Sequence, residues 1–286
     1  MSPASGLKPI SPRPDLQPDL LTPQFDYGVV DGLGRSWQRG LTPRLDGKAF
    51  RAGAAGPLVE IAQVEAGRDL REMREEGWLH PGSVEPLLEA LLRRPQLWLA
   101  RDGRQGFASG EGLEDEDNLH SFKIDAHKAA KYAGFETQAG LLVTALGELI
   151  GNVVDHSEAI SSGVALFSAG RGEFEIVVAD GGIGALRSLT QNPDYAGLSD
   201  HGAALETMVE TGVSRHARET GHGNGFRPIF EKLADMTGDL RFRSGDYVLT
   251  LDGRFGDKIA RQITQKPRMA GFLVAISCRI SANRFL

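Results

Sequence analysis

Glu148, Asn152 and Asp155 recur at helical spacing within "ELIGNVVDHSEA", residues 148–159. Residues four apart share one face of a helix, so these side chains can act together. An Asn side-chain oxygen suits a hard cation such as Mg²⁺. A carboxylate one turn earlier can polarise a water beside that ion, as a general base. Leu142, Leu146, Leu149, Ile150 and Val153 fill the opposite side, so the same helix can pack its apolar stripe on a sheet. The competing reading is a solvated face. Such faces usually carry Lys and Glu, whereas Thr144 and Gly151 flank this wedge and it has no Lys. On the helix alone the two readings have even weight.

Two glycine clusters lie downstream. "FEIVVADGGIG", residues 174–184, reads as a strand ending in Asp180, followed by glycines. A carboxylate at a strand end can accept a hydrogen bond from an amino group such as that of adenine. Glycines behind it let a ligand come close to the backbone. "TGHGNGFRPIFEKLADMTG" places Gly221, Gly223 and Gly225 just before a helical pattern closed by Gly238. Free amides at a helix start favour a phosphate. Taken singly, each cluster is equally well a turn or a flexible loop. Neither is a GxxxxGK[ST] loop, and no βαβ unit surrounds either, which excludes the dinucleotide fingerprint. "DGLG" at Asp31–Gly34 has a similar look and reads as a simple turn.

ExxxN, then DGGIG, then GHGNG, in that order, resembles the N, G1 and G2 boxes of the GHKL ATPase superfamily, which includes histidine kinases and heat-shock chaperone ATPases. The likeness covers about residues 119–280. "ELIGNVVDHS" and "GVSR" also look like a bacterial group of kinase-like ATP-binding proteins. The resemblance implies a Bergerat-type α/β sandwich, a largely antiparallel mixed sheet with helices on one face, binding ATP and Mg²⁺. It implies Glu148 as the base for water, Asn152 on the metal and Asp180 on adenine. Gly182 and Gly184 would shape the adenine pocket, Gly221, Gly223 and Gly225 would line the phosphates, and residues 185–220 would form a lid. Some histidine kinases carry a basic residue three positions after the metal Asn; here that position is Asp155, counted with the nucleotide-side residues. Of Arg187, Arg215 and Arg218 in or near the lid, Arg215 in "GVSRHARE" is the preferred phosphate or partner contact. The implied function is a regulatory ATPase acting on a protein partner. A serine kinase of the anti-sigma type and a nucleotide-sensing module without turnover are the alternatives. No phosphoacceptor hairpin precedes the boxes, which disfavours a histidine autokinase; His120, His127 and His156 read as structural, and His216 and His222 as exposed loop residues.

The elements that must position these residues can be read along the chain. Residues 1–25 are rich in Pro and Ser and read as an extended arm. Residues 26–110 read as a small α/β or helical module, with Leu58–Gly77 as one helix, Ser83–Arg94 as another and Gln96–Ala100 as a strand. The acidic "GEGLEDEDN", residues 110–118, reads as a linker into a domain spanning 119–286. There the pattern is two helices, an antiparallel strand pair, a loop with a helix, a further helix, a hairpin around "SGD" and a final strand "GFLVAISCRI".

Composition narrows the class further. A net charge of −6 over 286 residues disfavours a nucleic-acid partner. Trp37, Trp78 and Trp98 show no stacking pattern for nucleic acid and are expected to pack the first module. Cys278 is the single cysteine, in an apolar run, so an intrachain disulfide is excluded and a core role expected. The N-terminus lacks the apolar core of a signal peptide, and no apolar run approaches the ~18 residues of a membrane helix. A cytoplasmic protein is expected, with a homodimer compatible.

Overall fold

The computed structural model describes residues 22–43, 49–65, 67–80, 82–211, 238–252 and 260–280. Helix α1 (Tyr27–Gln38) opens at Asp26, whose carboxylate accepts the Val29 N–H at 3.0 Å, an N-cap that satisfies one orphan amide. Strand β1 (Phe50–Arg51), helices α2 (Gly56–Ile61) and α3 (Leu70–Glu75) and strand β2 (Leu79–His80) follow, with β1 and β2 a short parallel pair. Helix α4 (Glu85–Arg93) leads into strands β3 (Leu97–Leu99) and β4 (Gln105–Ser109). Then come helices α5 (Glu116–Tyr132) and α6 (Ala139–His156), strands β5 (Val164–Gly170) and β6 (Glu173–Asp180), helices α7 (Gly184–Thr190) and α8 (His201–Thr211), and strands β7 (Gly238–Asp252) and β8 (Ala260–Arg279).

Six strands form one sheet in the order β3-β4-β5-β6-β8-β7, with every neighbouring pair antiparallel. The fold is thus mixed α/β on an antiparallel sheet. Side chains alternate across a strand, and both sets are buried here. Ala165 and Phe167 of β5 join the core formed with α5 and α6, while Val164 and Leu166 join a second core with Phe25, Val30, Leu58 and Leu87 of the N-terminal segment. The expectation of helices on one face is corrected: α5 to α8 cover one side, and α1, α2 and α4 pack on the other. Trp37, Trp78 and partly buried Trp98 belong to this second core.

Four further readings change. The acidic stretch contains a 3₁₀ turn, Gly110–Leu113, and Asp115, which caps α5 by accepting the Asn118 N–H at 2.8 Å. Strands β3 and β4, on its N-terminal side, hydrogen-bond into the same sheet as β5 to β8, so the sheet draws on both sides of the expected boundary. "SGD" is no hairpin turn: Ser244 and Gly245 form a bulge within the continuous β7, where Gly245 takes φ +58°, a left-handed conformation costly for other residues. The helix expected over Leu58–Gly77 is two helices, because Val64 leaves the helical path to bridge Met269 of β8. Asp31–Gly34 lie inside α1 rather than in a turn.

Among the described residues no helix is long and apolar enough to cross a membrane. Cys278 is buried, and burial pushes its thiol up to about 12, as suits a core residue.

Candidate functional site

Asp180 is the last residue of β6 and is fully buried. Its position follows from the ladder: Asp180 pairs with Phe272 of β8, at the point where the two strands part. One carboxylate oxygen, Oδ1, accepts the Gly182 N–H at 2.7 Å. The other, Oδ2, is buried without a hydrogen-bond partner. Burial pushes the carboxyl up to about 6, against the lowering effect of the Gly182 and Phe272 amides. Leaving such an acceptor unmatched costs about 1–3 kcal/mol, so an orphan of this kind calls for a reason.

The glycine loop after Asp180 is fastened at several points. The Gly181 N–H donates to Ser162 Oγ at 2.8 Å, and the Ile183 N–H to the Ser157 carbonyl at 3.0 Å, just past the end of α6. A Cβ at Gly182 would collide with that carbonyl oxygen. Gly184, at φ +72°, starts α7, and the Ala185 N–H donates to Ser244 Oγ at 2.9 Å. Ser244 in turn donates to the Gly271 carbonyl at 3.0 Å. The β7 bulge therefore serves the site: it places Ser244 where it joins α7 to β8.

Beside the loop lies a small cleft of about 40 Å³, lined by Asn152, His156 and Ser157 of α6 and its end, Asp180, Gly184, Ala185 and Ser188, Met208 of α8, and Phe242 and Phe272 of the sheet. Its walls are apolar except for a few convergent polar groups, the usual make-up of a small-molecule site.

Of the residues singled out from the sequence, Asn152, Asp180 and Gly184 come together in this cleft, and Gly182 holds the loop beside it. Glu148 lies one turn before Asn152 on α6 and is exposed, outside the cleft lining; Asp155 is exposed and also outside it. Arg187 is exposed, 3.9 Å from Glu158. Gly221, Gly223, Gly225, Arg215, Arg218, His216 and His222 lie outside the described residues. His120 and His127 sit on α5 away from the cleft, whereas His156, read from the sequence as structural, is among its lining residues. Its spacing of four from Asn152 was the available signal. Phe242, Phe272 and Met208 come from three separate elements, and no sequence signal unites them. No group of three His, Cys, Asp or Glu that could hold a metal occurs among the described residues, so an ion beside Asn152 would depend on oxygens from its ligand. Comparison with protein-family models, with curated proteins and with solved structures finds no match.

Proposed function

We propose that the chain binds Mg²⁺-ATP in the Asp180 cleft, in the manner of a Bergerat-type GHKL domain, and uses it to regulate a protein partner. The observation that carries the reading is the buried, unpartnered Oδ2 of Asp180 in an otherwise apolar cleft. The exocyclic amine of adenine supplies the missing donor. Phe242, Phe272 and Met208 offer apolar surface to the base. Gly182 and Gly184 let the loop beside it pack directly against the Ser157 and Gly271 carbonyls. Asn152, toward the α6 wall, would give an oxygen to Mg²⁺. The bound ion would draw charge from the phosphates, and Glu148, exposed one turn away, would take the proton of an attacking water.

A nucleotide-sensing module without turnover is favoured by one observation, the position of Glu148 outside the cleft lining. A serine kinase acting on a partner shares the same binding site and differs in the phosphate acceptor.

Calorimetry at neutral pH tests the binding. ATP and adenosine should bind, and GTP should not, because a guanine O6 would face a carboxylate oxygen. Asp180→Asn should weaken ATP by about 10- to 100-fold, since a hydrogen bond to a charged acceptor is worth roughly 1.5–3 kcal/mol. Equal binding of ATP and GTP, or wild-type affinity in folded Asp180→Asn, removes the carboxylate from recognition. Incubation with radiolabelled ATP, with and without lysate, then separates free phosphate, label on a second protein and no turnover.

A further inference from the structure

We propose that Gln63 is a positioning residue for this cleft, holding Asp180 in place from the N-terminal segment; the inference rests on the nucleotide reading above. β6 ends at Asp180, but its partner β8 runs on past it. There the N-terminal segment takes over the vacated edge. Val64 bridges Met269, the Glu65 N–H donates to the Arg268 carbonyl at 2.9 Å, and the Ala270 N–H donates to the Gln63 carbonyl at 3.3 Å. Residues 63–65 thus continue the row that β6 leaves, and the two segments meet end to end. At the junction Gln63 Nε2 donates to the Asp180 backbone carbonyl at 2.9 Å. Gly271 lies against the same carbonyl, with which a Cβ there would collide.

The segment that carries Gln63 is itself anchored on the strands that build the cleft. The Ala55 and Gly56 N–H groups each donate to Glu175 of β6 at 2.9 Å. Buried Glu60 accepts from Arg241 at 2.6 and 2.7 Å and pairs with Arg243. Those arginines flank Phe242, whose side chain faces the other way, into the cleft. Residues 55–63 therefore grip β6 near both ends and β7 on both sides of a cleft residue. The Asp180 carboxylate points where its backbone puts it, and Gln63 is the one contact by which this segment reaches that backbone directly among the described residues. The amide donates to the backbone carbonyl and not to the carboxylate, so it acts on Asp180 through position and through its dipole.

The test uses the full chain. Asp180 is followed by carbon-detected NMR titration of its carboxyl in the free protein, and ATP affinity by calorimetry, in wild type, Gln63→Met and Gln63→Lys. Among the cleft-lining residues His156 is the other titratable group and is followed in parallel. Gln63→Met removes the donor at similar length. It should move the Asp180 midpoint up by roughly half a pH unit and weaken ATP about threefold to tenfold at neutral pH. Gln63→Lys restores a donor and adds a positive charge, so it should move the midpoint down. A purely structural Gln63 would lower the melting temperature in both variants without this split in sign, and an unmoved midpoint with unchanged ATP affinity in Gln63→Met overturns the proposal. If wild type binds no ATP while the midpoints still split, the nucleotide reading falls and the positioning of Asp180 by Gln63 stands.

Discussion

Asp180 sets a conflict between binding and stability that can be measured. Its carboxyl is raised from the ordinary value near 3.8 to about 6 by burial, so the folded chain holds a proton that the unfolded chain has released between these values. The contribution to stability is fully present below the unfolded value and is lost as pH rises through about 6. A shift of that size corresponds to roughly 3 kcal/mol. Glu175 is also raised by burial and shares the sign, so wild type alone does not isolate Asp180. The difference between wild type and Asp180→Asn does. Urea unfolding without ligand should show wild type losing up to about 3 kcal/mol relative to the variant between pH 4 and pH 7. Saturating ATP should then restore stability to wild type and not to the variant. A pH-independent difference would place the Asp180 carboxyl at an ordinary value and remove the case for an unmatched oxygen. Asp180 could be read from the sequence because a carboxylate at the end of an apolar strand before GGIG is an unusual local choice. Phe242, Phe272 and Met208 could not. Alternation marks residues that point inward, but which ones meet across β7, β8 and α8 is fixed by the register shift at the β7 bulge and by the packing of α8.

Helix α6 shows how one element can serve core and site. Leu142, Leu146, Leu149, Ile150 and Val153 are buried, each stabilising the fold by roughly 1.5–3 kcal/mol, while Glu148 and Asp155 remain exposed and Asn152 is half-buried at the cleft. Glu148 and Asn152 should therefore have separable roles. Glu148→Ala should keep Mg²⁺-ATP binding and, if ATP is hydrolysed, lower turnover by about 10²–10⁴-fold. Asn152→Ala should weaken binding in Mg²⁺ and change little in EDTA. Neither should cost more than about 0.5 kcal/mol of stability if only a solvated face is altered. Nucleotide titrations in both buffers, with phosphate release, decide between a site and amphipathic patterning. The helix was legible because its period is long and unbroken. The α2–α3 stretch was not, since the apolar period runs on through Val64 while the chain turns aside to pair with β8. "SGD" misled for a related reason: a glycine with positive φ serves a bulge as well as a turn.

At the scale of the whole molecule the sheet is the middle layer, and the N-terminal segment is half of its cover. The sequence held a sign of this. "VALF" in β5 and "IVVA" in β6 are continuous apolar runs rather than alternating ones, the pattern of strands buried on both faces. An acidic stretch nearby suggested a boundary instead, because composition alone does not distinguish a linker from the capped start of a helix. Across the second face run buried ion pairs. Arg241 pairs with Glu60 and, at 2.8 Å, with Asp31, and Lys266 reaches Asp31 at 2.6 Å. Removing one partner of such a cluster leaves a buried charge uncompensated, so Glu60→Ala should cost about 3–5 kcal/mol in urea unfolding. The same architecture makes a prediction about fragments. Residues 110–286 alone would lack β3 and β4 and would expose Leu166, Val177, Ala179, Leu273 and Ala275 to water, with Arg241 and Arg243 stripped of Glu60 and Asp31. Such a fragment should aggregate, or populate a state with secondary structure and no cooperative unfolding. Co-expression with residues 1–109 should recover a soluble complex, because the lost contacts are non-covalent. A fragment that unfolds cooperatively on its own, at the midpoint of the full chain, would show that the second face contributes nothing and that the N-terminal segment is an independent module.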